Sequence, residues 1–313
     1  MEILLTGASG FVGSLLLGPL LRGGDQVRAL VREPARLQGS GAGNLRVIRG
    51  DLLTGEGLDQ ALRGVEVAYY LVHSMETSPG AGGFVERERA AATNFAAAAV
   101  ANGVRRIVYL GGLVPPSDAG ARSLGASRHL ASRLEVEQIL MDAVSDSLAL
   151  RASIVIGARS RSFRLLVHLV ERMPLLALPP WRRFRTAPID ERDVTAMLLA
   201  CARSEVSGEV LEIGGPDVLS YQQMLEAIAE LMLVGRPSVR LPVDLAGLTA
   251  RLAAAIASED PELVVPLMEG LQGDLLPRDD HAAQRLGVRL HTFESAVEHA
   301  LAEWERAEPL AAR

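Results

Sequence analysis

Apolar residues in the first half of the chain fall into short unbroken runs, and longer stretches with helical spacing separate them. Ile3-Leu4-Leu5, Gln26–Val31, Leu45–Arg49, Val67–Val72, Arg106–Leu110 and Ser147–Ile156 read as strands. Their near-continuous apolar character marks strands covered on both faces rather than one. The clearest helical patterns are Phe84–Asn102 and Arg128–Val144. Alternation of this kind predicts an α/β fold built on a doubly wound parallel sheet. Pro19 falls inside the first helical stretch and lacks a backbone donor, which predicts a local kink. After Gly157 the pattern loosens into segments rich in Arg, Pro and Trp. Val210–Ile213 then reads as one more strand, and from Ser220 short helices lead to a last one at Thr292–Ala307. The expected organisation is a nucleotide-binding domain over 1–158, with 194–215 returning to it. A smaller, mostly helical C-terminal lobe over 159–313 would line a substrate cleft.

The junction after the first strand carries the most chemistry. Gly7-Ala8-Ser9-Gly10-Phe11-Val12-Gly13 has glycines at G-x-x-G-x-x-G spacing and opens an apolar helical pattern. A side chain at these positions would obstruct the tight turn, a pyrophosphate laid on the amides, or the packing of helix on strand. The free N–H groups and positive end of the helix then suit a diphosphate. Gly7, Ser9, Gly10, Phe11, Val12 and Gly13 are therefore candidate dinucleotide contacts. A plain strand-turn-helix is the alternative.

Composition narrows the chemistry. All 32 basic side chains among the 313 residues are arginine, so no ε-amine is available as a base or Schiff-base former. A net charge of −6 gives no global attraction to nucleic acid or to an anionic membrane. The single cysteine, Cys201, excludes an internal disulfide and lies in an apolar helical stretch, consistent with packing rather than reactivity. No run reaches the ~18 apolar residues of a membrane span. The expectation is a soluble, cytoplasmic protein with a small-molecule substrate. Oligomeric state is not legible. The histidines show no paired metal-ligand spacing, so no metal is expected.

Several segments carry a family resemblance in their order along the chain: T-G-A-S-G-F-V-G, V-R-A-L-V-R-E-P, Gly50-Asp51-Leu52 and Asn94. Gly103–Leu110, Leu150–Gly157 and Pro188–Val194 continue it. The chain resembles the extended and atypical short-chain dehydrogenase/reductase superfamily, and within it the NmrA-like NAD(P)H-binding branch, including proteins with a segment like Tyr69–Met75. The resemblance implies a Rossmann domain, with Asp51 and Leu52 on the adenine side and Leu71, Val72 and His73 beside the cofactor. Cofactor choice turns on the end of the second strand. NAD sites place a carboxylate there, whereas this chain has Arg32 and, a turn later, Arg36, which favours NADP(H) over NAD(H). Glu33 alongside weakens that preference.

The departures from the pattern matter as much. That superfamily pairs a catalytic tyrosine with a lysine four residues on, plus an upstream serine. Here His129 and Arg133 fall where the tyrosine and lysine belong, and Gly111-Gly112 where the serine does. His129 can donate a proton near neutral pH, and Arg133, one turn away, can hold a hydroxyl or phosphate but not act as an acid. In the alternative, His129 merely begins a helix and Arg133 pairs with Glu137. His73 is a second candidate, because ligands in open α/β sheets sit beyond the carboxyl ends of strands. Eight arginines against three acids between Arg159 and Arg192, interleaved with apolar residues, suggest a pocket for a hydrophobic substrate with an anionic group, an acidic docking partner, or a solvated face. Two functions remain: an NADPH-dependent reductase of a carbonyl, enone or quinone-like compound, and a cofactor-binding sensor or assembly protein without turnover.

Overall fold

A computed structural model describes residues 1–37, 42–72, 83–114, 128–173, 176–178, 180–240, 273–279 and 281–308. Seven parallel strands form the central sheet: β1 (Glu2–Thr6), β2 (Gln26–Val31), β3 (Leu45–Arg49), β4 (Val67–Tyr70), β5 (Arg106–Gly112), β6 (Leu148–Ala152) and β11 (Glu209–Ile213). Their order is β11-β6-β5-β4-β1-β2-β3, so the strand order reverses between β1 and β4. In such sheets that reversal leaves a crevice at the carboxyl ends of the strands.

Helices cover both faces. On one, α1 (Phe11–Arg22) and α6 (Glu191–Cys201) bury Leu16, Leu20, Met197, Leu198 and Cys201 against Ile3, Leu5, Val108 and Leu150. On the other, α2 (Leu58–Leu62), α3 (Phe84–Ala101) and α4 (Arg128–Ala143) bury Leu62, Phe95 and Leu140 against Leu4, Ala68 and Ile107. Small residues at Ala92, Ala96 and Ala99 let α3 lie close to the sheet. α1 runs from Phe11 to Arg22 with Pro19 inside it.

A third core belongs to the helical C-terminal region. Here α5 (Arg161–Arg172), α7 (Tyr221–Leu231) and α9 (Phe293–Ala307) pack Phe163, Val167, Met224, Ile228, Val297 and Trp304 together. Local signals set their ends: Ser160 caps α5, Ser220 and Gln223 form a capping box on α7, and Thr292 caps α9. Ser147–Ile156, expected as one strand, is two, β6 and β7 (Val155–Ile156). The chain turns off the sheet between them because Ser153 N–H donates to the Ile213 carbonyl and Ile189 N–H to the Ile154 carbonyl. That second bond begins the pairing of β7 with β10 (Ile189–Asp190).

Candidate functional site

The glycine turn is forced by backbone contact. Gly7 has φ +72°, and a Cβ there would lie 2.6 Å from the Leu71 carbonyl oxygen. A Cβ on Gly13 would lie 2.7 Å from the Gly7 carbonyl carbon and closer still to its oxygen. Real Cβ atoms do not approach so near, so only glycine lets α1 rest on the turn it leaves. Gly10 is less crowded, with 3.1 Å to the Gly7 oxygen. Thr6 holds the crossing of β1 and β4: its hydroxyl donates to the Tyr69 carbonyl at 2.9 Å and accepts from Leu71 N–H at 3.3 Å.

The N-terminus of α1 has no side-chain cap, and Gly10 lies exposed at its mouth. A helix end without its own acceptor leaves N–H groups free for an external anion. Ser9, Phe11 and Val12 are half-buried around it. Arg159, beyond β7, reaches across and donates to Ser14 Oγ at 2.9 Å, which holds a guanidinium beside the first turn of α1. The residues present therefore fit a dinucleotide diphosphate, with a turn that admits no Cβ, an uncapped helix end and a cation held beside it.

The loop expected on the adenine side is equally well held. Asn94, on α3, donates to the Leu52 and Leu53 carbonyls at 3.0 and 2.9 Å and fixes the loop after β3. Asp51 accepts from Leu53 N–H at 2.8 Å in the same loop, and Leu52 is buried beneath it. Arg32 is exposed at the end of β2 and makes no ion pair among the described residues. Glu33 instead pairs with Arg36 at 2.9 Å, which offsets its charge beside Arg32.

At the carboxyl end of β5, Tyr109, Gly111, Gly112, Leu130, Arg133 and Leu134 line a recess against α4. A Cβ on Gly112 would lie 3.3 Å from Arg133 Nη1, so the arginine occupies space that a side chain at this position would contest. Glu137 is engaged elsewhere, in a two-bond pair with Arg151 at 2.6 and 2.9 Å. Arg133 is half-buried and makes no ion pair among the described residues, so the expected alternative pairing with Glu137 is not formed.

No described tyrosine is placed to act as an acid. Tyr69 donates to the Leu198 carbonyl at 2.9 Å inside the core, and Tyr70 stacks edge-on against Phe95. Burial pushes all four tyrosine hydroxyls far up from their ordinary value. His129 is the second residue of α4, one turn before Arg133. His73 lies outside the described residues. Leu71 and Val72, half-buried, lead out of β4 toward it. Sequence reasoning placed Arg159 only within a broad arginine-rich stretch, because its partner is 145 positions away.

Residues 7–148 match the NAD(P)H-binding family. The chain is similar to a ceramide reductase of Caulobacter vibrioides, 28% identical over 241 residues, covering 77% of this chain and 73% of that protein. A nucleoside-diphosphate-sugar epimerase of Staphylococcus aureus has a similar structure, with TM-score 0.75, 16% identity, and 95% and 100% of the two chains covered. Another is the Bordetella bronchiseptica enzyme WbmH in complex with NAD+, with TM-score 0.70, 18% identity, and 97% and 98% covered.

Proposed function

From a chain that carries an NAD(P)H-binding domain over residues 7–148 on the extended and atypical short-chain dehydrogenase/reductase fold, we infer an NADPH-dependent reductase of a small-molecule carbonyl. Enones and quinone-like compounds are within the same chemistry. The observation that carries this reading is the pairing of an uncapped, Cβ-free helix mouth with an arginine that has no anionic partner among the described residues, at the carboxyl end of β5. Similarity to a reductase of ceramide makes long-chain, lipid-like carbonyl compounds the first substrates to try.

Bound NADPH supplies a hydride, two electrons and one hydrogen, to the electrophilic carbon. The chain's task is to hold the cofactor, orient the acceptor and deliver one proton to the developing alkoxide. The α1 amides and Arg159 would hold the diphosphate, and Arg32, with Arg36 drawing off Glu33, would hold the 2′-phosphate. Leu71 and Val72 would border the nicotinamide half, with His73 following them in the sequence, and Asp51 and Leu52 would face the adenine. Arg133 stabilises negative charge on the acceptor oxygen as a fixed hydrogen-bond donor and remains protonated throughout. His129 supplies the proton from the helix turn before it, with His73 the second source.

A second reading, a cofactor-binding sensor or assembly protein of the NmrA-like type, draws support from the burial of every tyrosine and the lack of lysine. Absorbance at the NADPH band, followed with long-chain ketones, aldehydes, enones and quinones, separates the two. Substrate-dependent oxidation supports the reductase. Tight cofactor binding with no oxidation across the panel supports the sensor.

A further inference from the structure

Beside Gly157, three side chains converge that have no part in the proposed reaction. His299 and Glu303 lie four residues apart on one face of α9, and Glu191 is the first residue of α6. One ligand atom from each falls within 4.8 Å of the other two. His299 Nε2 is 3.6 Å from Glu191 Oε1 and 3.8 Å from Glu303 Oε2. Donors held at ~2.05 Å around a tetrahedral ion are ~3.3 Å apart, so the two histidine–carboxylate separations exceed that spacing by about half an ångström or less.

A second observation is independent of the cluster's composition. Glu191 is 97% buried, yet its carboxylate makes no hydrogen bond to a residue outside the trio among the described residues. Room for it is made by a glycine: a Cβ on Gly157 would lie 2.6 Å from the Glu191 carboxyl carbon and 2.9 Å from Phe11 Cζ. Arg192, the next residue along the chain, is already paired with Asp190 at 2.5 Å. Glu191 and Glu303 both face the His299 ring, so all three donors point at one another.

We propose that Glu191, His299 and Glu303 form a binding site for a divalent transition-metal ion, tying α9 to the start of α6. Two oxygens and one imidazole suit Mn2+ and Zn2+, with the remaining positions open to water. Because no ligand belongs to the dinucleotide or substrate machinery, the site stands or falls separately from the reductase reading.

The test is titration of the chelator-stripped full chain with Mn2+, followed by the electron paramagnetic resonance of the free ion. The account expects one equivalent taken up with micromolar affinity and released by stoichiometric Zn2+. His299→Gln and Glu303→Gln, both at half-exposed positions, should each weaken uptake by at least tenfold with an unchanged circular dichroism spectrum. Glu294→Gln, at the exposed start of α9, should leave it unaltered. Wild-type chain that takes up no Mn2+ or Zn2+ below millimolar concentration overturns the proposal. Uptake that survives both substitutions does the same.

Discussion

Replacing Gly13 by Ala sets two physical effects against each other. Within a helix the exchange gains ~1 kcal/mol in propensity, so a Gly13 that served only α1 would be improved by it. Opposed to this is the added methyl, 2.7 Å from the Gly7 carbonyl carbon. Carbon atoms rest at ~3.5–4.0 Å, so α1 must lift by about 1 Å. Leu16 and Leu20 on that helix are fully buried and would be drawn from their packing. Strain of this kind costs roughly 1–3 kcal/mol, so the net stability change is a loss of up to about 2 kcal/mol. Displacement by ~1 Å would also misplace the amides proposed to face the diphosphate, so NADPH affinity should fall as well. Urea denaturation and calorimetry with NADPH measure the two consequences. Gly10→Ala, with 3.1 Å to the nearest atom, should show a smaller effect in both. A Gly13→Ala chain that is stabilised, or that binds NADPH as wild type does, refutes the close-approach argument.

Arg32→Ala should lower NADPH affinity by ~1.5–3 kcal/mol, the value of a charge-assisted pair, and leave NADH affinity nearly unchanged; equal wild-type affinities would contradict the assignment. His129→Ala should reduce turnover ~10²–10⁴-fold with little change in cofactor affinity. In wild type the rate should fall as pH rises through the histidine's range, since the protonated ring is the donor; a flat profile excludes it. Cys201 is fully buried, and burial pushes its thiol up to about 12. It should therefore resist maleimide labelling in the native chain at pH 8 and react once urea unfolds it. Rapid native labelling would show that α6 opens from the sheet.

The parts of this account that were legible in the sequence are those set by local spacing. Apolar runs located the strands because each is covered on both faces, and glycine spacing located the turn because a close approach excludes Cβ atoms there. Partners distant in sequence were not legible. The i, i+4 spacing of Arg133 and Glu137 suggests a pair on one helix face, yet Glu137 is taken by Arg151 on the neighbouring strand. The break between β6 and β7 depends on the Ile213 carbonyl, contributed by a strand some sixty residues later. His299 and Glu303 share a visible helical spacing, but nothing local announces that Glu191 meets them.

The most direct test of the central claim is hydride transfer itself. NADPH deuterated at the nicotinamide C4 position, on the face that this chain presents to substrate, would be incubated with a long-chain ketone and the product weighed by mass spectrometry. The account predicts an alcohol heavier by one deuterium, formed at a rate that falls sharply in the His129→Ala and Arg133→Ala chains. Binding of NADPH with no deuterated product from any carbonyl, enone or quinone would contradict it and leave a protein that holds its cofactor without using it.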